Sequence, residues 1–244
     1  MNTAALRSLI QHAHQHEAAS GLLRQQLEAQ LERLHPAIQL PDVDALTVMA
    51  RFVAAYIDQV PEMLEAAASV AEEAGIREQI LPVLKVAETF FIQPPALLEG
   101  HQGLNALLDE AYLAHRLVEE VNDRYITHLG QPLIPLDTTV ANVIAHQLIG
   151  EPFANQLDEA VHHAVDELLD EQVFQQSSVQ EYRTRLSNPQ TVAAWQNWPC
   201  LSRQLGVELV LAPEALGRAE VGKLLVHARA HHGLAAHHDH ATGL

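Results

Sequence analysis

The stretch QGLNALLDEAYLAHRLVEEVNDRYITHLGQP, residues 102–132, decides the fold class. Leu104, Leu107, Leu108, Ala111, Ala114, Val118 and Val121 recur at spacings of three and four, the period of one face of an α-helix. Gly130 and Pro132 follow the last periodic turn and stop it. A helix over about 102–129 is therefore predicted, the longest in the chain. Working outward, Ala, Leu, Glu, Gln and Arg dominate on both sides, and β-type alternation is nearly absent.

Towards the N-terminus, residues 3–35 read as helical with a weak point at Ser20-Gly21, and Leu23, Leu27, Leu31 and Leu34 form one stripe. Asp42 or Asp44 is expected to cap a helix to about Gln59. Pro61 is expected to open a separate helix that ends at Gly75. Residues 77–92 form the next, with Pro82 near its start. The Pro-rich corners QPPALLEG, 93–100, and GQPLIPLD, 130–137, turn the chain.

Towards the C-terminus, Asp137 is expected to cap a helix to Gly150, and Pro152 to open one reaching about 173. Ser178-Val-Gln-Glu181 has the form of a capping box. Further helices are expected from Asn188-Pro189, with Trp195, and from Pro213 to His232. The segment VELVLA, 207–212, is the one strand-like run, and it has no evident partner. The expected architecture is all-α, a multi-helix bundle of roughly 8–10 helices with Pro/Gly-rich corners. No linker divides residues 1–244, so one domain is expected, with a looser part from 178 to 244 and a His-rich tail over 227–240.

The chain has 244 residues, 48% of them hydrophobic, enough for a packed core. Lys and Arg number 14 against 31 Asp and Glu, a formal charge of −17. Such a charge disfavours nucleic acid and anionic membranes as partners. Between Arg124 and Arg183 there is no Lys or Arg, while Asp137, Glu151, Asp158, Glu159, Asp166, Glu167, Asp170, Glu171 and Glu181 all fall there. Cys200 is the one cysteine, which excludes an intrachain disulfide and a multi-thiolate zinc site. No membrane span is expected, since no run of 18 apolar residues occurs, and the start lacks the long apolar core of a signal peptide. A cytoplasmic protein is the expectation.

Gly-rich phosphate loops, G-x-S-x-G, C-x-x-C and H-E-x-x-H are all missing from the sequence. Histidine is the anomaly, with 16 residues. On the long helix His115 and Glu119 lie one turn apart beside the apolar stripe, so both are expected to point inward and to reach one place. A buried charge needs a partner or a metal. Glu88, His146 and the Glu159-Ala-Val-His162 run could supply further ligands. The candidate metal set is therefore Glu88, His115, Glu119, His146, Glu159 and His162, of a composition suited to Fe, Mn or Zn. It has the ingredients of a carboxylate-bridged metal bundle without the repeated Glu-x-x-His pattern. The terminal clusters His12, His14, His16 and His227 onward bind metals as chemistry and read as polar segments.

Two functions are expected. The first is a non-catalytic helical protein that binds a protein partner or self-associates, the Leu23–Leu34 stripe being its docking element. The alternative is a helical metalloprotein, oxygenase-like or hydrolytic, using the candidate set.

Overall fold

The structure, a computed structural model, describes residues 1–74, 77–98, 103–130, 132–133, 138–185, 189 and 208–209. Its elements there are α1 (Thr3–Ser20), α2 (Leu22–Leu31), β1 (Ile38–Gln39), α3 (Ala45–Ala74), α4 (Arg77–Ile92), a 3-10 turn (Ala96–Leu98), α5 (Leu104–Leu129), α6 (Thr139–Ile149), α7 (Phe153–Leu168), a second 3-10 turn (Val173–Gln175), α8 (Ser177–Arg185) and β2 (Glu208–Leu209). The chain is thus an all-α, multi-helix protein, as its periodicity predicts. Cys200, Trp195, Asp137 and the expected last helix and His-rich tail lie outside the described residues.

Helix α5 is the axis of the molecule. It packs against α1, α2, α3, α4, α6 and α7, and 19 of its 26 residues are buried. A helix buried all round needs an internal answer for every polar side chain it carries, and that requirement creates the site below. Gly130 closes α5 in the left-handed conformation, φ 76°, and its N–H donates to the Ile126 carbonyl. At the other end Gly103, φ 84°, sits so close to α1 that a Cβ there would lie 2.8 Å from His16 Nδ1.

The first forty residues contribute one face to the core. Leu6, Ile10, Ala13, Leu23 and Leu27 are buried in the same apolar cluster as Phe52, Leu113 and Val161, and Leu34 packs against it. Leu23 and Leu27, the first half of the leucine stripe assigned to docking, therefore face inward, and their helix packs on α3 and α5. Gly21, φ 62°, turns the chain between α1 and α2 where the weak point was expected.

Two expected boundaries differ. Pro61 does not open a helix. It is buried inside one continuous helix, Ala45–Ala74. Proline removes one backbone donor at a cost of about 3 kcal/mol, which the packing around Phe52, Val53, Ile57, Val60 and Leu64, all fully buried, outweighs. The strand-like run also finds a partner: Glu208 and Leu209 pair antiparallel with Gln39 and Ile38. Helix α7 stops at Leu168, five residues short of the expected end, and the 3-10 turn at Val173–Gln175 carries the chain into α8.

The window Ile80–Leu98 is long and apolar enough to cross a bilayer by composition, with a third of it buried here. Its inner residues Ile80, Val83, Leu84, Ala87, Phe90 and Phe91 belong to the core.

Candidate functional site

Helix register places Tyr112, His115, Arg116, Glu119 and Glu120 within two and a half turns of α5, where α3, α6 and α7 close over them. Arg116 is the hub. Its Nη1 donates to Glu119 Oε2 at 2.7 Å and its Nε to Asp158 Oδ1 of α7 at 3.0 Å. Its Nη2 lies 3.9 Å from Glu120 Oε2. One guanidinium, only 8% exposed, thus faces three carboxylates. Burial alone would lower its pKa, but the charges of Glu119 and Asp158 outweigh burial and raise it, so Arg116 is always cationic.

The network continues on both sides of the hub. Asn142 of α6 donates from Nδ2 to Glu119 Oε2 at 2.6 Å and accepts the Tyr56 hydroxyl of α3 at 2.7 Å. The Tyr112 hydroxyl donates to Asp158 Oδ1 at 2.8 Å. Burial pushes the Tyr56 and Tyr112 pKa values up, so both hydroxyls stay protonated donors. Four helices are joined through one polar seam whose members answer one another.

At the seam's outer edge, His146 Nε2 donates to Asn155 Oδ1 at 3.2 Å and lies 3.6 Å from Asp158 Oδ2. His162, half exposed, lies 3.2 Å from Glu120 Oε2. Arg124 bridges Glu120 and Asp166 at 3.3 and 2.7 Å.

His115 is fully buried, and its Nε2–H donates to the Tyr56 carbonyl at 2.8 Å. That carbonyl lies one residue before Ile57, whose own carbonyl gets no proton from Pro61. The ring sits 4.2 Å from the Tyr56 ring. Its Nδ1 has no hydrogen-bond partner. Burial holds the His115 pKa down at about 4, against the opposing pull of the Tyr56 carbonyl and Glu119, so the imidazole is neutral at pH 7.

The expected metal set is therefore dispersed. His115 and Glu119 both point inward, as the spacing implies, but they take different partners: a carbonyl for one, Arg116 and Asn142 for the other. Glu88 accepts the Asn2 backbone N–H at the start of α1. Glu159 is solvent-facing, and His146 and His162 attend different carboxylates. Among the described residues no three His, Cys, Asp or Glu side chains converge on a metal-sized point.

Residue spacing missed Arg116, Glu120 and Asp158 as members of this seam. Arg116 donates to Asp158 across 42 residues, a separation that no local motif reports. The cue was the same one that exposed Glu119, a charged side chain next to an apolar stripe. Arg116 lies three residues before Glu119, an ion-pair spacing on a helix.

No family model, no curated protein and no solved structure matches the chain.

Proposed function

We propose that this chain is a non-catalytic helical protein that works by binding a basic segment of a protein partner through the acidic surface formed by α7 and the segments that flank it. The observation that supports this is the division of charge across the α5–α7 contact. Arg116 and Arg124 are turned to Glu119, Glu120, Asp158 and Asp166. Beyond them, Glu151, Glu159, Glu167, Asp170, Glu171 and Glu181 are all exposed, and the sequence offers no Lys or Arg from 125 to 182. A field of one sign steers and holds a partner of the other.

The test is binding of a fluorescent arginine-rich peptide, followed by anisotropy at low and high salt. The triple variant E159Q/E167Q/E171Q is expected to weaken binding by about tenfold or more. The control E28Q/E32Q/E62Q removes the same charge from exposed positions on α2, the turn after it and α3, and is expected to change binding less than about twofold. Equal weakening by the two triples makes net charge, rather than the α7 face, the cause and overturns the proposal.

The metalloprotein alternative makes a different demand. It needs Glu119 to leave Arg116 and Asn142 for a cation. Metal content of untagged protein truncated before His227 is expected below about a tenth of an equivalent of Fe, Mn or Zn, since a guanidinium already neutralises these carboxylates. One equivalent, lost together in H146A and H162A, establishes the metal reading instead.

A further inference from the structure

His12, His14 and His16 alternate along the sequence of α1, but the helix sorts them onto two flanks. The buried residues of α1 are Leu6, Ile10 and Ala13. At about 100° per residue, His14 leaves on one side of that stripe, and His12 and His16 leave together on the other. On its own side His14 Nε2 meets Asp58 Oδ1 of α3 at 2.7 Å. His12 and His16 are both exposed, and a spacing of four residues stacks them one turn apart. The charged groups of α1 are engaged elsewhere. Arg7 donates to Glu65 at 2.9 Å, and the Glu17 carboxylate accepts the backbone N–H groups of Leu23 and Arg24 at 2.9 and 3.1 Å. No Lys or Arg occurs from residue 8 to residue 23.

We propose that His12 and His16 form a two-histidine site for an exchangeable late first-row divalent cation such as zinc. Three observations carry it. The first is spacing. Side chains four residues apart on a helix have Cβ atoms about 5–6 Å from each other, so two imidazoles reach one ion, and helical histidine pairs of this spacing hold zinc. The second is the support behind His16. Its Nδ1 lies 3.4 Å from Ser20 Oγ. The form in which Nδ1–H donates to that oxygen leaves the Nε2 lone pair for the ion, the arrangement in which ligating histidines are commonly held. The third is placement of the ring against α5. A Cβ at Gly103 would lie 2.8 Å from His16 Nδ1 and 3.3 Å from Cε1. The ring therefore rests where a side chain is missing, and part of its freedom is lost before an ion arrives. Helix α1 itself is fixed by its buried stripe and by the Ala5 N–H, which donates to Asn2 Oδ1 at 3.1 Å. The pair is thus preformed in the folded chain. Imidazole ligands select zinc, copper or nickel over magnesium and calcium, which take oxygen. Two protein ligands leave the other positions to water, so the ion exchanges freely and is taken up when supplied rather than retained through purification. The site is independent of the α7 surface and of the Arg116 seam, and each can fail without the others.

The experiment is urea unfolding of the full chain in Zn²⁺ at about 1 mM and, separately, in EDTA, with Mg²⁺ at the same concentration as the control. The response is the change in the folded-to-unfolded ratio between Zn²⁺ and EDTA. The histidines from 227 onward are kept in every variant, so their binding cancels in the comparison. The native response is expected to exceed that of H12Q/H16Q by about tenfold or more, which a dissociation constant of about 0.1 mM or tighter supplies. H12Q and H16Q are each expected to lose most of that difference. Both positions are exposed and glutamine is a good helix former, so the variants fold. H14Q removes a histidine from the same run but from the other flank. Its stability in EDTA is expected to fall with the Asp58 contact, while its zinc response stays within about twofold of the native one. Mg²⁺ is expected to give no difference between the native chain and H12Q/H16Q. A zinc response equal in the native chain and H12Q/H16Q overturns the proposal. So does a response lost in H14Q as fully as in H12Q, or one that Mg²⁺ reproduces.

Discussion

Replacing Arg116 with methionine is expected to cost about 3–5 kcal/mol of folding stability, the usual price of leaving buried charge without its partner. The side chain is 8% exposed and contacts Glu119 and Asp158 directly, with Glu120 at 3.9 Å. Methionine keeps much of the volume, so the loss reports the charge rather than a cavity. Asn142 still donates to Glu119 and Tyr112 to Asp158, which keeps the loss finite. Urea unfolding followed by circular dichroism measures it. R116K is expected to fall between, since an ammonium cannot reproduce the two directed contacts of the guanidinium. The double variant R116M/E119Q is expected to recover at least about 1 kcal/mol relative to R116M, because one orphaned carboxylate becomes neutral. A loss under about 1 kcal/mol in R116M shows that the seam is relaxed by water and does not lock the helices.

The same residues show what a single sequence can reveal here. The axis helix was legible because burial writes itself into a period: Leu104, Leu107, Leu108, Ala111, Ala114, Val118 and Val121 are all buried as that period requires. The inward pointing of His115 and Glu119 was legible for the same reason. Their partners were not. Asn142 and Asp158 lie 23 and 42 residues from the side chains they answer, and only the packing angle of α6 and α7 brings them in. Ligand-type residues such as His146, Glu159 and His162 stand out in a sequence, whereas Arg116, the group that faces Glu119 and Asp158, carries no ligand signature. Pro61 misled for a related reason. Its local rule, that proline starts or stops a helix, is about 3 kcal/mol strong, and the buried face of α3 exceeds that. The leucine stripe at 23–34 was correctly placed on one face, but amphipathicity alone does not say whether that face meets this chain or another.

Stability as a function of pH is expected to rise and then fall, with two buried groups on α5 setting the two limbs. His115 governs the acid side. Its folded pKa is about 4 against an ordinary 6.5, so the folded state refuses a proton that the unfolded chain accepts. Its contribution is fully present above about pH 6.5 and is lost as pH falls towards 4, an effect of about 2–3 kcal/mol. Glu110 governs the other side. It is 8% exposed, and its folded pKa is about 8 against an ordinary 4.5. Here the folded state holds a proton that the unfolded chain releases. The contribution is fully present below about pH 4.5, declines above it and is gone above pH 8, an effect of about 2–4 kcal/mol. Between about pH 4.5 and 6.5 the two slopes oppose each other. Comparison of variants isolates each limb from the many exposed carboxylates. E110Q, which mimics the protonated acid, is expected to match the native chain near pH 4 and to exceed it by about 2–4 kcal/mol at pH 9. H115Q keeps an amide donor for the Tyr56 carbonyl and cannot titrate, so its stability is expected to change less than that of the native chain between pH 6.5 and 4. Urea midpoints across this range measure both. An E110Q difference that does not grow with pH means that the carboxyl reaches water in the folded state, and an unchanged acid slope in H115Q assigns that limb to other groups.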